Sequence, residues 1–296
     1  MTTNRMWDCN ESPYWQLVSQ KMRLKRRNAM KKIGIALSVV AVTLFCGGLL
    51  AFGQQLPVGS VISGDTYTID FTGNYTATWY SASQNQTYGA GIYSATISGG
   101  TLNNAPVGMI CDDFANDISS GNTWTATAYQ ASVIPENIGS TLFGNTIGVT
   151  GYAQIAFLMN AMFSGVGTGS DQTLMIGMNT VSGVTQADLS SAIWYIGAQG
   201  STNVPPLGDL STNAQTIVSD LQGHFGTNGA EGSTAEEYLD SMTNLFILVP
   251  SGNTWNPQEV GISVPEGGAT WMYLLMALAA CVGFIRFGRR DQTASL

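Results

Sequence analysis

Between residues 65 and 129 polar and apolar positions alternate. The pattern is clear in Asp65-Thr66-Tyr67-Thr68-Ile69-Asp70-Phe71 and in Tyr75-Thr76-Ala77-Thr78-Trp79-Tyr80. It recurs in Ile92-Tyr93-Ser94-Ala95-Thr96-Ile97 and in Thr123-Trp124-Thr125-Ala126-Thr127-Ala128-Tyr129. A period of two with β-branched and aromatic residues, broken by Gly-Asn, Gly-Gly and Ser-Gly pairs, predicts half-buried strands joined by turns. Val107 to Cys111 is continuously apolar and predicts a buried strand. The period then changes. Tyr152, Ile155, Met159 and Phe163 recur near helical spacing, and Thr185 precedes Asp188 by three in a capping-box start. Leu189, Ala192, Ile193 and Ile196 mark one face of that second helix. Ile217, Val218, Leu221 and Phe225 mark a third, and Ser233 with Glu236 opens a short fourth. Phe246 to Val249 and Val260 to Ser263 return to strand. Strands, then helices, then strands predict an α+β fold, with an N-terminal antiparallel β sandwich or barrel, a helical second half and returning C-terminal strands. No internal repeat is visible.

The two ends follow other patterns. Met30-Lys31-Lys32 precedes an apolar run from Ile33 to Gly53, the order of a secretory signal peptide, and Ala51-Phe52-Gly53 places cleavage after Gly53. The run is also long enough to stay as an uncleaved anchor. Met22 and Met30 are alternative starts. Phe45 is too bulky for the small residue expected before a lipidated Cys46. Near the other end, Trp271 to Ile285 is apolar and approaches the ~17 residues of a short membrane span once Ala269 and Thr270 are added. Arg286, Arg289 and Arg290 follow and would stay cytoplasmic by the positive-inside rule. The expected organisation is a leader and signal peptide over 1–53, a single acidic extracellular domain over 54–263, a C-terminal helix with its flanks over 264–290, and a tail over 291–296. A plain C-terminal anchor fits the last span equally.

Charge narrows the function. Only 10% of the 296 residues are charged, and all 11 Lys and Arg lie up to Lys32 or from Arg286 onward. The body between holds acids and no Lys or Arg, which excludes nucleic-acid binding, a lysine phosphate loop and an arginine finger. Cys9, Cys46 and Cys281 fall in the end segments, so the body keeps only Cys111 and no internal disulfide. Cys111 reads either as a small buried apolar residue or as a reactive thiol. Asp112, Asp113 and Asp117 beside it read either as solvated turn carboxylates or as a calcium site, the one cofactor that the sequence suggests. His224 is the sole histidine, no Gly-x-Ser-x-Gly elbow is present, and no spacing suits zinc. Gly165, Gly167 and Gly169 lack the lysine of a phosphate loop. Trp79, Trp124, Trp194 and Trp255 read as core residues or as sugar-stacking faces. The expectation is a non-enzyme.

Val264-Pro265-Glu266-Gly267-Gly268, a short span and a terminal arginine cluster together resemble the PEP-CTERM sorting signal of Gram-negative bacteria, with Gly267 in place of the commoner Pro. The resemblance implies handling by the general secretion machinery and an exosortase, which recognises Val264, Pro265, Glu266 and Gly267 with the Arg286, Arg289 and Arg290 cluster behind them. It implies passage through the inner membrane to the cell surface, and a structural or adhesive role with exopolysaccharide or biofilm. A carbohydrate- or calcium-binding module is the alternative. The segment Gly108-Met109-Ile110-Cys111-Asp112-Asp113-Phe114, followed by Ala192-Ile193-Trp194, is also similar to thioester domains of bacterial surface adhesins. There a cysteine links to a glutamine just before the Ala-Ile-Trp segment. The matching position here is Ser190, with Gln186 about one helical turn upstream.

Overall fold

The computed structural model describes residues 56, 59–114, 118–169, 172–199, 204–227, 233–252 and 257–264. Pro265, Glu266, Gly267, Arg286, Arg289 and Arg290 of the expected sorting signal lie outside these, as do Asp117 and Trp255.

Eight strands form. They are β1 (Thr66–Ser81), β2 (Gln86–Gly99), β3 (Leu102–Cys111), β4 (Thr123–Gln130), β5 (Thr173–Ile176), β6 (Asn179–Ser182), β7 (Leu245–Pro250) and β8 (Val260–Ser263). Six of them close an antiparallel barrel in the order β1-β2-β3-β8-β7-β4, with β4 pairing back to β1. The alternation explains the closure. Tyr67, Ile69 and Phe71 of β1 point inward while their neighbours Thr66, Thr68 and Asp70 are exposed. Between the choices left by the sequence, sandwich or barrel, the structure takes the barrel. The two expected runs at 65–71 and 75–80 form one strand, because the turn-like Gly73-Asn74 pair is absorbed as a register shift between Phe71 and Tyr75.

Among the described residues five α-helices follow β4. They are α1 (Ile134–Asn137), α2 (Gly144–Phe163), α3 (Gln186–Gly197), α4 (Thr212–Phe225) and α5 (Ser233–Ser241). The expected capping box is present, with Thr185 accepting from the Asp188 N–H and the Asp188 carboxylate accepting from Thr185. Ser211 caps α4 by accepting from the Ala214 N–H at 3.1 Å. Helix α2 is buried on most sides rather than on one stripe. Leu158 and Met162 are enclosed along with Tyr152, Ile155 and Met159, while Phe163 is half-buried. The β5–β6 hairpin between α2 and α3 was not foreshadowed, since four-residue strands are too short to show a period.

Two cores result. One fills the barrel, with Tyr67, Ile69, Ile97, Met109, Trp124 and Ile262. The other lies between barrel and helices, with Ile110, Ile134, Tyr152, Ile155, Leu189 and Ile193. Strand β7 is buried on both faces because it serves both: Phe246 and Leu248 enter the barrel, and Leu245, Ile247 and Val249 meet the helices. Two glycines permit the close approach of the layers. A Cβ on Gly261 of β8 would collide with the Met159 sulfur of α2, and one on Gly197 of α3 would stand 2.6 Å from the Asp112 carbonyl oxygen. Gly261→Val is expected to destabilise the fold by about 1–3 kcal/mol through overpacking. Urea unfolding would measure this, and adding Met159→Ala should recover part of the loss.

Candidate functional site

The pairing of β3 with β8 decides which side chains meet. Met109 lies opposite Ile262, Ile110 opposite Gly261 and Cys111 opposite Val260. The Asp112 N–H donates to the Glu259 carbonyl at 3.4 Å, which carries the register one step further. Alternation then sorts the next residues onto two faces. Cys111, Val260 and Gln258 share the barrel-interior face, with Gln258 diagonal to Cys111. Asp112 and Glu259 share the face toward the helices.

On the interior face the Cys111 thiol has two acceptors, the Gln258 Oε1 at 2.8 Å and the Asp113 carbonyl at 3.0 Å. Gln258 Nε2 donates to the same Asp113 carbonyl at 2.9 Å. The Asp113 N–H donates to the sulfur at 3.3 Å. The thiol and the carboxamide are therefore held against each other in a buried turn. Burial first, then the carboxylates of Asp113 and Asp112, pushes the Cys111 thiol well above its usual range. A free thiolate is disfavoured here.

Trp194 of α3 braces this turn, its indole N–H donating to the Cys111 carbonyl at 3.0 Å. It packs with Trp79, Tyr88 and Phe114 in a four-ring cluster whose centroids lie 4.9–5.8 Å apart. In front of Gln258 a cavity of ≈ 310 Å³ opens, walled by Phe71, Tyr75, Tyr88, Tyr93 and Trp194. Asp113, Ser119 and Ser120 add polar atoms to its wall.

On the opposite face Asp112 and Glu259 are fully buried. Glu259 accepts from the Tyr152 hydroxyl at 2.5 Å and from the Leu142 N–H at 2.8 Å. Among the described residues no N–H or O–H donor hydrogen-bonds either carboxyl oxygen of Asp112. Burial, then the charge of Glu259, drives the Asp112 carboxyl well above the ordinary range. Burial raises Glu259 as well, against the hydrogen bonds from Asp112, Tyr152 and Leu142 that favour its anion. Burial beside Glu259 also lifts the Tyr152 phenol.

One expectation is corrected here, and the other residues singled out in the sequence are placed. Asp112 and Asp113 are not solvated turn carboxylates but buried ones, because the chain turns inward under α3 after β3. They point to different neighbours, and among the described residues no group of three or more metal-capable side chains converges. Ser190 does not face the thiol. Its hydroxyl accepts from the Gly91 N–H at 2.8 Å. Gln186 accepts from the Thr76 hydroxyl and lines a separate groove with Thr76, Gly167 and Thr185. Trp79 and Trp194 stand at the site, and Trp124 fills the barrel. His224 ends α4 against Phe225. The sequence reading missed Gln258, Glu259 and Tyr152. Gln258 lies 147 residues from Cys111, and only the strand register joins them.

Comparison with known protein families, with curated proteins and with solved structures finds no match. Trp194→Phe removes the indole donor and leaves the buried Cys111 carbonyl without it. The expected loss is about 1–3 kcal/mol, read by chemical denaturation, with faster alkylation of Cys111 in the folded protein.

Proposed function

We propose that this chain is an exported surface protein of a Gram-negative bacterium that attaches covalently to its partner through an internal thioester between Cys111 and Gln258. The observation that carries the reading is the buried 2.8 Å contact between the Cys111 sulfur and the Gln258 carboxamide oxygen. The sulfur adds to the carboxamide carbon, the C–N bond breaks, and nitrogen leaves as ammonia with the thiol proton. A new C–S bond remains and no oxidant is consumed. The cavity then gives an incoming amine or hydroxyl a path to the thioester carbon. Attack there breaks the C–S bond and forms an amide or ester, and the proton returns to sulfur. The Asp113 N–H supports the departing sulfur, and the high thiol range that burial imposes favours its reprotonation.

The aromatic walls suit the C–H faces of a saccharide, and an acidic body without bases disfavours anionic polymers. A neutral matrix polysaccharide, or an amine-bearing partner on it, is the partner that this chemistry fits. Export and sorting rest on the signal peptide and the Val264-Pro265-Glu266-Gly267 segment with its arginine cluster. Catalysis of turnover is not part of the reading, since one thioester reacts once.

Intact mass of the protein recovered from culture fluid and membranes tests both parts. The expected species is lighter by one ammonia than its sequence, resists alkylation at Cys111, and gains one methylamine when treated with it. Cys111→Ala and Gln258→Ala abolish the ammonia loss and the methylamine gain. A full-mass chain with a freely alkylated thiol removes the thioester. A species ending beyond Arg290, found only in membranes, removes the sorting step and leaves a plain anchored ectodomain.

A further inference from the structure

The body has no lysine or arginine, so none of its buried carboxylates can be neutralised by an ion pair with one. That makes the Asp112–Glu259 pair a chemical problem with few solutions. Both side chains are fully buried, side by side on the ends of β3 and β8. Two adjacent buried anions would repel and lose their hydration at once. The donors are unequally shared. Glu259 has the Tyr152 hydroxyl and the Leu142 N–H, and Asp112 has neither. A proton on Asp112 solves both deficits, because the protonated carboxyl donates to Glu259 while Glu259 stays the acceptor of all three donors. The other titratable groups facing the pair are Cys111 and Asp113 from β3 and its following turn, and Tyr152 from α2. From helix α3, Gly197 lies against the Asp112 backbone carbonyl. The one histidine, His224, sits at the end of α4 against Phe225.

The geometry points to a positioning role for this pair: we propose that Asp112 and Glu259 share one proton, and that this clasp holds the ends of β3 and β8 together so that Gln258 stays on Cys111. The proposal rests on the thioester reading for its consequence, but the clasp itself does not. Asp112 neighbours Cys111 and Glu259 neighbours Gln258, so separation of the carboxyls separates the thiol from the carboxamide. Removing the proton leaves two anions in contact and opens the clasp.

The sign of the pH effect follows. The folded state holds the Asp112 proton more tightly than the unfolded chain does. Stability from this group is therefore level below the ordinary carboxyl range and falls as pH rises through the elevated folded value.

Thermal unfolding from about pH 4 to about pH 9 of the full chain in the Cys111→Ala background reads the clasp without any thioester. The midpoint should fall with rising pH. Asp112→Asn, which donates to Glu259 but cannot titrate, should flatten that fall, and Glu259→Gln should do the same if the Asn variant does not fold. In the Cys111-containing chain, refolded at each pH, intact mass should show several-fold fewer ammonia-depleted molecules at the alkaline end. Asp112→Asn should form them equally at both ends, and Asp112→Ala poorly at both. An unchanged pH slope in Asp112→Asn and Glu259→Gln overturns the clasp. So does a midpoint raised by calcium chloride in the wild-type side chains and not in Asp112→Asn, which would assign a cation in place of the proton. Absence of ammonia loss at every pH, with the midpoints as expected, removes the thioester and leaves the clasp standing.

Discussion

Antiparallel pairing of β3 with β8 is the contact on which the rest of the molecule depends. It closes the barrel, since β8 is the bridge between β3 and β7. The same ladder fixes the site, because a register of Cys111 opposite Val260 leaves Gln258 on the thiol's face and Glu259 on that of Asp112. A slip by one residue would exchange the two faces, placing the carboxamide among the helices and a carboxylate in the barrel. The close packing of Gly261 against Met159 and of Gly197 against the Asp112 carbonyl opposes such a slip. Fold and site are thus specified by one set of hydrogen bonds.

A second constraint is electrostatic. A body of acids without bases must meet each carboxylate with dipoles, protons or water. The half-buried Asp209 shows one solution. Asp209 is held below the usual carboxylate range by the hydroxyls of Ser81 and Ser83 and the Ser83 N–H. The buried acids cannot use water, which is why Glu259 gathers a phenol and a backbone amide. Hydroxyl-rich composition is the same solution written across the whole surface.

Much of the fold was legible because its signals are local. The alternation of Tyr67, Ile69 and Phe71 needs only its own strand, and the Thr185–Asp188 box needs only four residues. Helix α2 was harder, since burial on most sides erases the one-sided stripe that Tyr152, Ile155 and Met159 suggested. The β5–β6 hairpin was too short to register. The site was half legible. Cys111 stood out as the single cysteine of the body, and Trp194 as part of the Ala192-Ile193-Trp194 segment. Gln258 carries no local mark, because a glutamine before a strand is ordinary until the opposite strand is known. Asp112 looked like a surface acid because nothing in its neighbours announces that α3 will cover it.

The last described residues lie close in sequence to the candidate site. Val264 is buried, with its N–H bonded to the Asn244 carbonyl. Gln258 lies just upstream on the same short segment. In a protein tethered beyond Val264 and joined to its partner through Gln258, tension would run along β8 alone, from tether to bond. The remaining strands and the helices would then carry little of the load. They would serve as the housing around a single stressed strand, and the strength of the attachment would be set by covalent backbone rather than by the packing of the domain.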